Sequence, residues 1–259
     1  MPLGCLYTDE SLTASHAPAL PGLDDESSEG EDDDVYTDFD PYRFMKYLPP
    51  LNLVVPDARS PVLPPKAPGC GKMTLVLDLD ETLVHSSLNG GSSPDFSFLV
   101  DFNNQQHAVN VKQRPYLFDF LEHAAALFEV VIFTASQQVY AEQLLDILDP
   151  EGKLILHRIY RDGCVYVDGN YLKDLTVLGR DLERTVIVDN SPHAFGFQIC
   201  NGIPIESWYD DENDRELQLL MPFLEKLSSE GDVRPLIADT YKMQQLVAMA
   251  DEPANQPAL

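Results

Sequence analysis

The sequence is short of positive charge. It holds 17 Lys and Arg against 43 Asp and Glu in 259 residues, a formal net charge of −26. Bulk attraction to nucleic-acid phosphates is thereby excluded, and no direct nucleic-acid binding is expected. An acidic chain that binds phosphate needs a metal or a locally positive pocket. Cysteine is sparse as well. Cys5, Cys70, Cys164 and Cys200 include no C-x-x-C spacing and sit near no metal-like histidine pattern. Free thiols in a reducing compartment follow, not a disulfide framework. No apolar stretch approaches the roughly 18 residues of a membrane span. The N-terminus lacks the basic, apolar leader of a secreted protein and is too acidic for a transit peptide. Pro2 stands where myristoylation requires glycine. The expectation is a protein of the nucleus or cytoplasm, not secreted, with no membrane span.

What is present divides the chain. Residues 1–71 read as a disordered tail, acidic and then proline-rich. Eight acids fall between Asp24 and Asp34, and prolines recur from Pro49 to Pro68. Such a segment has too few apolar side chains to offset the entropy of ordering. Within it, Ser28 with Glu31 three residues on fits an acid-directed kinase, and the aromatic segment from Tyr42 to Leu48 could dock on a surface. The ordered part is expected from Lys72, as a domain over 72–237 followed by a C-terminal helix and tail over 238–259.

Three short apolar runs read as buried strands: Met73 to Leu77, Val130 to Phe133 and Thr185 to Val188. Residues 96–100 and 107–112 read as a β-hairpin turning at Asn103-Asn104. Helices are expected after Pro115, after a Ser136 cap, and over 214–228 and 233–248. Strands alternating with helices indicate an α/β fold, a mostly parallel sheet with helices on both faces.

The three strands end in Asp78, Thr134 and Asp189-Asn190. In an open α/β sheet, ligands bind at that edge. Asp78 and Asp80 stand two positions apart just past a strand, and their repulsion is relieved by a divalent cation with oxygen ligands. Asp189 can complete such a site. With Mg²⁺ bound, Asp78 could attack phosphorus while Asp80 donates and later recovers a proton. Taken alone, the pair reads equally well as a solvated turn. Thr134 offers a hydroxyl at the start of a helix, a favourable anion position, and reads also as part of an ordinary cap. Lys173 could be presented inward by the Asp168-Gly169 turn, although a single lysine normally lies on the surface. His85 and Trp208 are assigned to packing.

In this order the motifs resemble the haloacid-dehalogenase-type phosphatases. More narrowly, the string from Leu77 to Ser87, Phe133-Thr134-Ala135-Ser136, Gly169 to Leu175, Leu178 to Leu182 and Val188 to Pro192 are similar to the small phosphatases of the RNA polymerase II C-terminal domain (CTD), in particular the CTD small phosphatase-like 2 group. The resemblance implies a Rossmann-like fold with a small β-hairpin insertion. It implies hydrolysis of phosphoserine or phosphothreonine in a protein, the polymerase tail or another, through an aspartyl phosphate and with Mg²⁺ as cofactor. On it, Asp78 is the nucleophile and Asp80 the general acid and base. Asp78, the backbone of Asp80, and Asp189 are the metal ligands, with Asn190 close by. Thr134, Lys173 and Arg161 contact phosphate. Tyr140 matches a substrate-groove tyrosine, and Leu88 stands where polymerase-tail phosphatases carry an aromatic groove residue. Two other uses of the fold stay open: a non-catalytic binding module, which would be expected to lose a catalytic residue, and a small-molecule phosphatase, which would be expected to carry a large cap.

Overall fold

The computed structural model describes residues 39–55, 59–88, 93–103 and 105–250. The acidic run, Ser28 and the last residues of the tail lie outside them. In chain order the elements are α1 (Pro41–Tyr47), α2 (Leu51–Val54), β1 (Met73–Leu77), β2 (Val84–Ser87), β3 (Phe96–Phe102) and β4 (Gln105–Gln113). There follow α3 (Leu117–Leu127), β5 (Phe128–Phe133), α4 (Gln138–Leu148), β6 (His157–Ile159), β7 (Val165–Val167) and β8 (Asn170–Leu172). The chain closes with β9 (Thr185–Asp189), β10 (Gly202–Pro204), α5 (Glu216–Ser228), α6 (Arg234–Tyr241) and α7 (Met243–Met249).

Five strands form one sheet in the order β10-β9-β1-β5-β6, every pair parallel. Strands β1, β5 and β9 are buried along their whole length, as apolar runs covered on both faces must be. Side chains alternate between two cores with the period of two that a strand imposes. Leu75, Leu77, Val130, Ile132 and Val188 enter the larger one, with α3, α4 and α5. Val76, Val131, Phe133 and Ile187 enter the other, with Leu178 and Phe195. Among the described residues, no helix is long and apolar enough to cross a membrane.

The insertion between β1 and α3 is a three-stranded antiparallel sheet, β2-β4-β3, rather than a hairpin alone. β4 pairs with both β2 and β3. The expected helix after Pro115 begins at Leu117, preceded by Tyr116 in the left-handed region at φ 67°. The expected helix 233–248 is two helices, α6 and α7, parted by Lys242 at φ 52°.

The reading of residues 1–71 as a disordered tail is corrected for residues 39–55 and 59–71, which the structure describes. Helix α1 carries an Asp40 N-cap whose carboxylate accepts from the amides of Tyr42 and Arg43. It buries Met45, and the segment after it buries Leu63, both in the second core. The helix sits close because Gly196 has no Cβ: a methyl there would press on Leu48 and Met45. What composition missed is that a few apolar side chains suffice when a preformed surface receives them.

Candidate active site

The strand ends meet at one edge of the sheet. β1 lies between β5 and β9, so residues just past its C-terminus face both neighbours. A cavity of about 240 Å³ opens there. Asp78, Asp80, Thr134, Lys173, Asp189 and Asn190 all line it. The structure therefore brings together six of the residues singled out from sequence, across 112 positions of chain from 78 to 190.

Asp78 is 6% exposed, and its backbone amide donates to Val188 O at 3.0 Å. One carboxylate oxygen accepts from the Lys173 ammonium, the other from Thr82 Oγ1 at 3.0 Å. Lys173 also donates to Asp189 Oδ2 at 2.6 Å and is 2% exposed. The β7–β8 hairpin presents it, turning through Asp168 (φ 46°) and Gly169 (φ 84°), two left-handed residues as the tightest hairpins require. Burial alone would push the Lys173 ammonium down, but Asp189 and Asp78 together hold it charged, above the usual lysine range. Burial raises the Asp189 carboxyl, with Asp78 adding to the rise and Lys173 opposing it. One cation therefore serves two buried carboxylates.

Asp80 is held by three hydroxyls. Tyr140 Oη lies 2.5 Å from Oδ1, while Ser136 Oγ (2.7 Å) and Thr134 Oγ1 (3.3 Å) reach Oδ2. Burial, then the charges of Glu81 and Asp78, push its carboxyl up to about 6 against the hydroxyl bonds that lower it. A carboxyl in that range can both give and take a proton near neutrality. Asn190 accepts from Thr82 at 3.3 Å and donates to Ser207 at 2.9 Å.

The donor set can be tested for a metal. Among the described residues no three His, Cys, Asp or Glu side chains converge as a ligand cluster. The set proposed from sequence is of another kind: two carboxylates, a backbone carbonyl and an amide oxygen. All are hard oxygen donors, and Lys173 draws both carboxylates to one point. This suits Mg²⁺, which takes one or two protein carboxylates and keeps several waters.

Three singled-out residues lie off the cavity wall. Arg161 adjoins it: Nε donates to Ala135 O at 2.6 Å, and the guanidinium sits 4.8 Å over the Tyr171 ring, both of them cavity-lining residues. Tyr140 is fully buried, between Asp80 and Ser86 (2.6 Å). Leu88 is half-buried against the larger core. Ser136, expected as a helix cap, spends its hydroxyl on Asp80, and Gln137 takes the cap position without a side-chain bond. Thr82 and Ser136 are site residues that sequence reasoning did not assign. Thr82 was within reach, standing two positions past Asp80 in the string from Leu77 to Ser87. His85 and Trp208 do pack. His85 meets Glu81 at 3.1 Å and Tyr209 edge-on, and Trp208 is 4% exposed.

The family model described as NLI interacting factor-like phosphatase matches residues 73–234. A Dictyostelium discoideum protein named CTD small phosphatase-like protein 2 is 54% identical over 213 residues, 82% of this chain and 37% of that one. The Caenorhabditis elegans CTD small phosphatase-like protein 3 is 45% identical over 240 residues, 92% of this chain and 78% of that one. The human carboxy-terminal domain RNA polymerase II polypeptide A small phosphatase 1 is 43% identical over 184 residues, 71% of this chain and 67% of that one. The chain thus spans little more than a third of the first of these relatives.

Proposed function

The chain belongs to the NLI interacting factor-like phosphatase family, and from that premise we propose a Mg²⁺-dependent protein serine/threonine phosphatase that works through a phosphoryl-Asp78. The domain is taken as residues 72–237, acting in the nucleus or cytoplasm on a phosphorylated protein. The observation that carries the reading is the pairing at the cavity: a carboxylate held by Lys173 and Thr82, beside a second carboxyl pushed up to about 6. Two carboxyl groups in different environments divide into nucleophile and acid.

The residues act in two steps. An Asp78 oxygen attacks phosphorus, and the bond from phosphorus to the serine or threonine oxygen breaks. Asp80 gives its proton to that departing oxygen, which would otherwise leave as an alkoxide. Asp80 then takes a proton from water as the water attacks the phosphoryl-Asp78, releasing phosphate and restoring the Asp78 carboxylate. Lys173, Thr134 and the amides entering α4 hold the phosphoryl oxygens. Arg161, bonded to Ala135 O and over the Tyr171 ring beside this wall, is proposed to contact the substrate phosphate as well. Mg²⁺, bound by Asp78, Asp189, the Asp80 carbonyl and Asn190, would offset charge on the phosphoryl group. Tyr140 and Leu88, read from sequence as groove residues, are proposed to act from beneath: Tyr140 orients Asp80, and Leu88 supports the small sheet.

A protein substrate is preferred to a metabolite because the insertion is a three-stranded sheet and not a domain-sized cap. The printed name of the human relative points to the polymerase tail for that protein. Here it is one candidate substrate among phosphoproteins. The test is hydrolysis of an aryl phosphate and of a phosphoserine peptide with Mg²⁺ and with EDTA. Turnover that survives EDTA, or survives Asp78→Asn, would sink the proposal.

A further inference from the structure

Beside the phosphate site stands an aromatic wall that the catalytic residues do not use. His193 lines the cavity. Its Nδ1 is buried and finds no hydrogen-bond partner among the described residues. Burial, helped by the Lys173 charge, pushes its imidazole down to about 4, so the ring is neutral at pH 7. Phe39 meets this ring edge-on, centroids 4.9 Å apart and planes at 74°, and Phe44 meets it at 5.8 Å and 78°. The two phenylalanine rings lie 5.7 Å apart. Phe39 nevertheless stays 54% exposed.

A single exposed phenylalanine is ordinary. This one is fixed in place. It directly precedes the Asp40 cap of α1, and α1 is seated against Gly196 and tied to the C-terminal helix by Lys46 donating to Ala248 O and Ala250 O. It is also continuous with the cavity, because the ring it meets edge-on, His193, is part of the cavity wall. And it lies outside residues 73–234, the part matched by the family.

We propose that Phe39 and His193 form a second subsite, which takes an uncharged apolar or aromatic side chain of the substrate near the phosphorylated residue. The inference rests on the phosphatase reading. An extended peptide advances about 3.4 Å per residue, so a side chain two or three positions from the phosphoresidue reaches one ring beyond the cavity wall. The occupant's chemistry follows from the wall: two phenylalanine rings and a neutral imidazole offer edges and faces but no charge. Asp40, next to Phe39 in the chain and exposed, disfavours an acidic side chain there.

The experiment uses the full chain and a phosphoserine peptide in which one Trp is walked through the three positions on each side. The reference is the same peptide with Ser throughout. One or two positions should raise kcat/KM by roughly three- to tenfold, an aromatic contact's worth, through KM. Phe39→Ser should erase that gain, and Phe39→Trp should keep it. Because the Phe39 side chain is exposed, neither change threatens the core. A flat scan overturns the subsite, as does a gain that survives Phe39→Ser or a larger gain from Arg than from Trp. Hydrolysis of the all-Ser peptide with a flat scan leaves the phosphatase reading standing. Failure to hydrolyse any peptide or aryl phosphate removes both.

Discussion

Lys173 is the most exacting residue to perturb, because its ammonium is the sole side-chain cation bonded to Asp78 and Asp189 among the described residues. Lys173→Met keeps the length of the side chain and removes the charge. Asp78 is 6% exposed and Asp189 1%, so only water entering the cavity they line could take the lost partner's place, and it brings no charge. Breaking a buried pair from one side leaves a stranded charge and costs about 3–5 kcal/mol. Two carboxylates are stranded here, which puts the loss at the upper end. In a domain of this size each kcal/mol moves the Tm by about 2–4 °C, so a drop of roughly 10 °C or more is expected in EDTA. Adding Asp189→Asn removes one stranded charge and should recover about 2 kcal/mol of the loss, a coupling beyond additivity. Urea and thermal unfolding of the wild type, both single variants and the double variant measure this. A Lys173→Met protein within about 1 kcal/mol of wild type, or a double variant no better than the single, would refute the picture of one cation holding two buried acids.

Three further outcomes follow from the geometry. Glu129 is 4% exposed and bonded to Arg180 (2.7 and 2.8 Å) and Thr74 (2.8 Å). Burial would raise its carboxyl, but Arg180, Thr74 and Lys66 bring it down to about 2 from 4.5. Its stabilisation is therefore present above pH 4.5 and lost as pH falls towards 2, roughly 2 kcal/mol after allowing for solvent screening. The urea midpoints of wild type and Glu129→Gln should converge on acidification, and a gap independent of pH would contradict this. A Cβ at Gly202 would overlap the ring of Phe195, which is fully buried and cannot yield. Gly202→Ala should cost about 1–3 kcal/mol in urea unfolding, and a neutral change would contradict the packing. Tyr140→Phe removes one of three hydroxyls on Asp80 and should lower kcat on an aryl phosphate by roughly three- to tenfold with little change in KM. A change in KM alone would mean that Tyr140 acts on substrate instead.

Much of the site was legible because its residues stand at the ends of apolar runs, where strand periodicity fixes both the element and its edge. The sequence alone places Asp78, Thr134 and Asp189 at one edge of the sheet. The support around them was not legible. Ser136 and Tyr140 reach Asp80 across 56 and 60 positions of chain; local rules read the first as a cap, and the resemblance marked the second as a groove residue and not as a partner of Asp80. Lys173 depended on a turn type that the Asp168-Gly169 pair does signal. Helix α1 fell in a charged, proline-rich stretch and is too short to form alone, so only the surface offered by Gly196 and its neighbours reveals it. His193 carried no local signal, since its partners are Phe39 and Phe44, some 150 residues earlier.

The central claim is that Asp78 itself carries the phosphoryl group. Single-turnover reaction of Asp80→Asn with an aryl phosphate and Mg²⁺, quenched in acid and mapped by peptide mass, tests it directly. An aryloxide departs without the proton that a serine or threonine oxygen needs, so the first step survives while the second slows for want of the Asp80 base. The account predicts one phosphoryl group on the peptide containing Asp78, removed by hydroxylamine as an acyl phosphate must be. A phosphoryl group on any other side chain, or hydrolysis in the wild type with Asp78 never labelled in the variant, would contradict it.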